Sequence, residues 1–121
     1  NELGGGVYAT ASGGAITGFG AGVAESKTFA GAIIIDDPLK PDDANSDAKR
    51  GSVNERYNST IRSRVNDRET PIIVIMQRLH EEDLSGFLLN DGSGEKWDHL
   101  CLPALDEENN PLWKEKHSFE E

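Results

Sequence analysis

Apolar and polar positions follow three different rhythms along this chain of 121 residues. The stretch "VYATASGGAITGF", residues 7–19, alternates around Ser12-Gly13-Gly14 and predicts two short strands in a glycine-rich β-hairpin. From Gly20 to Phe29 the alternation is lost, which predicts a flexible connection. "AIIID", residues 32–36, is an unbroken β-branched run, the pattern of a strand buried on both faces. Pro38 stops it, since proline has no N–H to give a ladder. After the polar "LKPDDAN", Val53, Tyr57, Ile61 and Val65 recur every four residues and predict an amphipathic helix from about Ala44 to Asn66. "PIIVIM", residues 71–76, is a second all-apolar strand. "HEEDLSGFLLND" sets Glu81, Glu82 and Asp83 in a first turn and Leu84, Phe87 and Leu88 on one face, a short helix closed by Asn90 to Gly94. "WDHLCLPAL" predicts a third strand ending at Pro103, and "DEENNPLWKEKHSFEE" is polar and weakly patterned.

Apolar strands separated by helices imply right-handed crossovers and a mostly parallel sheet between helices, an α/β fold of three layers. The expected organisation is one unit over residues 1–105 and an acidic tail or linker over 106–121. In such sheets reactive groups collect beyond the carboxyl ends of the strands. Asp36 and Asp37 stand at one such end, Gln77 and Arg78 at the next.

Composition narrows the classes. Hydrophobic residues make up 36% and charged residues 28%, the balance of a soluble globular chain. No apolar run approaches the roughly 20 residues of a membrane span, and "NELGGG" has no signal-peptide character. Cys101 is the only cysteine, which excludes an intrachain disulfide and fits a reducing cytosol. A net charge of −10 argues against a generally basic surface, yet residues 44–68 carry Lys49, Arg50, Arg56, Arg62, Arg64 and Arg68 against Asp47, Glu55 and Asp67. Those arginines fit either a solvated helix face or contacts to a DNA backbone, for which Arg56, Arg62 and Arg64 are the candidates.

Two carboxylates closing an apolar strand repel each other unless a cation or proton intervenes. "IIIDDP" therefore reads either as a solvated Asp-Asp-Pro turn or as a magnesium site, with Asp36 holding Mg2+ through water and Asp37 orienting an attacking water. Gln77 and Arg78 could recognise phosphate oxygens, or Arg78 could serve the loop alone. His80 reads as a loop residue beside the following helix. "GAGVAESKTF" is no phosphate loop: G-x-x-x-x-G-K-[ST] needs glycine where Ser26 stands, and the strand follows Thr28 too soon for a helix. His80, His99, His117 and Cys101 lack metal-ligand spacing, and no G-x-S-x-G turn occurs.

Taken together, "GGAITGFGAG", "IIIDDPLKPDDANSDAKR", "VNERYNSTIRSRVND", "IVIMQRLHEEDLSGFLL", "WDHLCLPAL" and "PLW" resemble the large subunit of tailed-bacteriophage terminase, in order over nearly the whole chain. The resemblance implies part of a P-loop NTPase-like core lacking its P-loop: an ATPase, with ATP and Mg2+ as cofactors, that drives viral DNA into a preformed head. It also implies double-stranded DNA, the portal protein and the small terminase subunit as partners, a homo-oligomeric ring, and the cytoplasm of a bacterial host. Asp36 matches the Walker B aspartate, Asp37 the position of the catalytic acid, and Gln77-Arg78 the segment coupling hydrolysis to DNA movement. The phosphate cradle is then expected upstream and a nuclease domain downstream, so the 121 residues alone are expected to be inactive. Two alternatives stand beside this. A two-metal nuclease needs a third carboxylate, from Asp98 or Asp106; a non-catalytic fragment binds DNA or a partner through the arginine-rich helix. A receiver domain is excluded, because "IIVIMQRL" offers no phosphorylatable aspartate at its end.

Overall fold

Two of the expected strands form and pair with each other. In the computed structural model, which describes residues 4–11 and 13–116, Ile33–Asp36 is β1 and Ile72–Ile75 is β2. They run parallel, with Ile33 opposite Ile72 and Asp36 opposite Ile75. The ladder runs past both ends, Ile33 N donating to Pro71 O at 3.0 Å and Asp37 N to Ile75 O at 2.9 Å.

The connecting helix is broken where a single one over Ala44–Asn66 is expected. After a 3₁₀ turn at Pro41–Asp43, α1 spans Asp47–Arg56, capped by Ser46, whose side chain accepts from Lys49 N. It then widens into a π turn at Tyr57–Ile61 and tightens into a 3₁₀ turn at Arg62–Arg64. The reason lies in the four-residue spacing. In a regular α-helix, side chains four apart drift about 40° per step, so Val53, Tyr57 and Ile61 would fan away from one line. A turn with i→i+5 bonds takes up more residues and offsets that drift. Tyr57 is fully buried, and Val53 and Ile61 both pack against the same cluster.

A second helix, α2, spans Leu84–Leu89 and buries Leu84 and Leu88. Ile35, Tyr57, Leu84 and Leu88 form the core, flanked by Ile33, Ile72, Val74 and Trp97. All the strand residues in that group lie on one face of the sheet, since alternate side chains point oppositely. The other face is open: Ile34 is 63% exposed, Ile75 54% and Ile73 43%. Burial on both faces is thus not realised among the described residues, where two layers replace the expected three. The accessible surface is 9565 Å², against about 6,400 Å² for a compact chain of 13.2 kDa.

The expected N-terminal hairpin and third strand are absent among the described residues. Residues 7–11 and 13–19 form no ladder; the rings of Tyr8 and Phe19 stack at 3.8 Å, and Tyr8 OH donates to Ala15 O at 3.0 Å. Two strands with no apolar face to bury are marginal in water, and Val7 is 97% exposed. Ser12, in the expected turn, lies outside the described residues, as does His117. The connection from Gly20 is a closed loop. Ala21 bridges Val65, and a Cβ on Gly31 (φ +147°) would come 2.7 Å from Gly22 N, so only glycine fits that approach. In "WDHLCLPAL" Trp97 stays against the core, while Leu100 and Leu102 stand 80% and 64% exposed and form no strand. The chain instead folds back at Leu105, which bridges Pro111 antiparallel around Asp106. No helix of the described residues is long and apolar enough to cross a membrane.

Candidate functional site

Parallel pairing brings the two chemical segments to one edge. Asp36 ends β1 opposite Ile75, and Gln77 follows Ile75 by two residues on the neighbouring strand. Asp37 adopts φ +42°, a left-handed conformation that aspartate tolerates better than most residues. It leaves the extended geometry there, so the chain bends away while its N–H still reaches Ile75 O. Asp36, Asp37 and Gln77 are all exposed, and none of their side chains makes a hydrogen bond or ion pair among the described residues.

Arg78 is placed differently. Its Nε donates to both carboxylate oxygens of Asp83 at 3.1 Å, and its Nη2 reaches His80 O at 3.4 Å. Asp83 is fully buried and is the hub of this loop. As the cap of α2 it accepts Gly86 N at 2.9 Å, and it also accepts Leu79 N at 3.0 Å and His80 N at 3.3 Å. Burial alone would raise its pKa. The bonds from Gly86, Leu79, His80 and Arg78 outweigh burial and hold the carboxyl below its usual range. His80 has a local role too, its Nδ1 accepting from Glu82 N at 3.1 Å.

The arginines of the helical segment are largely engaged at home. Arg50 is buried, bonded to Ala44 O at 2.8 Å, to Glu82 Oε2 at 3.2 Å and to Asp47. It ties α1 to the turn before α2. Arg56 donates to Gly14 O. Arg62 pairs with Glu95 Oε1 at 2.9 Å and Ser93 O at 2.9 Å. The Arg64 guanidinium reaches no further than its neighbour Ser63, while its carbonyl accepts Ala21 N at 2.8 Å. Glu95 also accepts Tyr57 OH at 2.8 Å; burial first, then this carboxylate, pushes the Tyr57 phenol well above its ordinary value.

No group of three or more His, Cys, Asp or Glu side chains converges among the described residues. Asp98 is exposed, and the Asp106 carboxylate is committed to Asn110 N at 2.7 Å and Glu108 N at 2.9 Å. The third ligand of a two-metal nuclease is therefore not supplied among the described residues. Asp36 and Asp37 offer hard oxygen donors open to water and free of a competing cation, which suits a magnesium ion that keeps most of its own waters.

The chain matches no family model, no curated protein and no solved structure.

The residues that sequence reasoning missed are the structural carboxylates. Asp83 precedes "LSGFLL" and so had the signal of a cap, Ser/Thr/Asp/Asn directly before an apolar helix, but three consecutive acids masked which one it was. Glu95 carries no local signal, because Tyr57 lies 38 residues away; for Arg50 only Asp47 and Ala44 are local, and the tie to Glu82 spans 32 residues.

Proposed function

We propose that this chain is the magnesium-holding and coupling part of an ATP-hydrolysing DNA-packaging motor of the terminase large-subunit kind. One observation carries the reading: β1 and β2 are parallel neighbours, so the Asp36-Asp37 pair and Gln77-Arg78 share a single sheet edge. Asp36 and Asp37 are the residues to hold the ion, Asp36 through water. When bound, Mg2+ neutralises charge on the phosphates of ATP. Asp37, exposed and adjacent, can accept a hydrogen bond from a water and orient it. Gln77 can donate its amide to a phosphate oxygen, and Arg78 can do so through Nη1 while its Nε stays on Asp83. The sequence holds no G-x-x-x-x-G-K-[ST], so the cradle for the β and γ phosphates comes from residues outside these 121. Double-stranded DNA, portal, small subunit and a ring of copies belong to the same reading.

The test uses Mn2+ in place of Mg2+, with ATP, on the isotope-labelled chain. Amide signals of Asp36, Asp37 and Gln77 are expected to broaden together, and Asp36→Asn to remove the effect. Broadening confined to the acidic stretch from Asp106 onward would overturn the reading. ATP turnover by the chain alone is expected to be nil.

A further inference from the structure

We propose that His80 and Arg78 form a phosphate subsite, His80 donating through Nε2 and Arg78 through Nη1 to the terminal phosphate of a nucleotide. The identity of that ligand rests on the magnesium-and-ATP reading above. The tautomer of the ring follows from its loop contact. Nδ1 accepts Glu82 N at 3.1 Å, so in the neutral imidazole the proton sits on Nε2. That N–H is a donor with no partner among the described residues, on a half-buried ring. Holding Glu82 N needs only an acceptor one bond beyond Cγ, which an asparagine would supply. The far nitrogen is surplus to the loop.

Arg78 is placed to join it. Its Nε is held on Asp83 at 3.1 Å while Nη1 stays free among the described residues. One buried carboxylate sets both donors: Asp83 takes the Arg78 guanidinium and also the amides of Leu79 and His80, at 3.0 and 3.3 Å. Arg78 Nη2 reaches His80 O at 3.4 Å, which keeps the two residues side by side. The loop's amides cannot do this work themselves. Those of Leu79, His80 and Gly86 end on Asp83 and that of Glu82 on His80, so an anion here is met by side chains. A neutral imidazole N–H beside a guanidinium suits a phosphate group, whose separate oxygens each accept a bond. Two of the three consecutive acids are engaged, Asp83 with Arg78 and Glu82 with Arg50 at 3.2 Å. Glu81, Asp36 and Asp37 remain exposed and oppose a free anion, so binding without metal is weak.

The test is a titration of the isotope-labelled full chain with inorganic phosphate, free of divalent ions, against chloride at matched ionic strength. The readout is the imidazole nitrogens of His80, by long-range proton–nitrogen correlation. The free chain is expected to carry its proton on Nε2, and phosphate to shift that nitrogen and the Arg78 side-chain signals together, with millimolar affinity. His80→Asn keeps an acceptor for Glu82 N and is expected to lose about tenfold in affinity at an unchanged unfolding midpoint. His80→Gln, which sets an amide N–H at the reach of Nε2, is expected to hold affinity within about threefold of wild type. A proton on Nδ1, an asparagine variant that binds like wild type, or equal loss in both variants would each overturn the proposal. So would a short DNA duplex that shifts His80 where phosphate does not, since the donors would then serve a DNA backbone. Asp36→Asn is expected to leave phosphate binding intact or stronger, which separates the two readings. If phosphate shifts His80 while Mn2+ leaves Asp36 untouched, the magnesium reading falls and the subsite stands; the reverse result overturns the subsite alone.

Discussion

Replacing Asp83 by alanine should be the most damaging single-residue change in the loop after β2. The carboxylate caps α2 through Gly86 N, and losing such a cap costs about 1 kcal/mol. Leu79 N and His80 N lose their acceptor as well, about 1 kcal/mol for each if it stays sequestered. The Arg78 partner adds little, because that side chain is 44% exposed and its pair is screened by water. The sum is about 3 kcal/mol, a large part of the 5–15 kcal/mol that holds most small domains together. Asp83→Asn keeps one carbonyl acceptor for Gly86 N and should lose roughly half as much. Urea unfolding followed by far-UV circular dichroism, with Trp97 fluorescence as a second probe, measures both. Because the folded-state pKa of Asp83 is lowered, its contribution is present at neutral pH. It should disappear as pH falls below the ordinary carboxylate value of 3.8 and through the lowered one, and Asp83→Asn should flatten that part of the profile. An Asp83→Ala chain within about 0.5 kcal/mol of wild type would refute the hub role.

Further expectations are independent of that loop. At φ +42°, Asp37→Gly should be neutral or slightly stabilising, while Asp37→Val should cost about 1–2 kcal/mol in thermal melts. Tyr57 has a raised phenol pKa, so its contribution is complete below pH 10 and is lost above it. In a Tyr8→Phe chain, which leaves Tyr57 as the only tyrosine, phenolate absorbance should therefore appear only together with unfolding. Leu84→Ala, at a site 1% exposed, should cost about 2–5 kcal/mol, whereas Ile34→Ala at 63% exposure should change monomer stability by less than about 0.5 kcal/mol, both by urea titration.

How far the sequence could be read differs by element. The runs Ile33–Asp36 and Ile72–Ile75 were legible because β-branched side chains leave few alternatives to a strand, and their parallel pairing followed from the intervening helix. The juxtaposition of Asp36 with the segment leading to Gln77 was therefore legible too. Burial on both faces was not, since an apolar run reports affinity for cover and not its presence. Residues 7–11, 13–19 and 97–103 form no strand for one reason: a strand needs a neighbour to hydrogen-bond, and none reaches them among the described residues. The widening at Tyr57–Ile61 was hidden because a four-residue repeat looks the same in either helix type. Arg78 was singled out for its chemistry, but its pairing with Asp83 five residues on was a matter of loop shape.

That pairing bears on how any anionic ligand would be felt at this edge. Arg78 holds the carboxylate that caps α2 through Nε, while its Nη1 has no partner among the described residues and can turn to an anion with that pair intact. A phosphate oxygen that recruits Arg78 therefore leaves the first turn of α2 capped and Leu84 in place beneath it, because Asp83 keeps its three backbone donors from Leu79, His80 and Gly86.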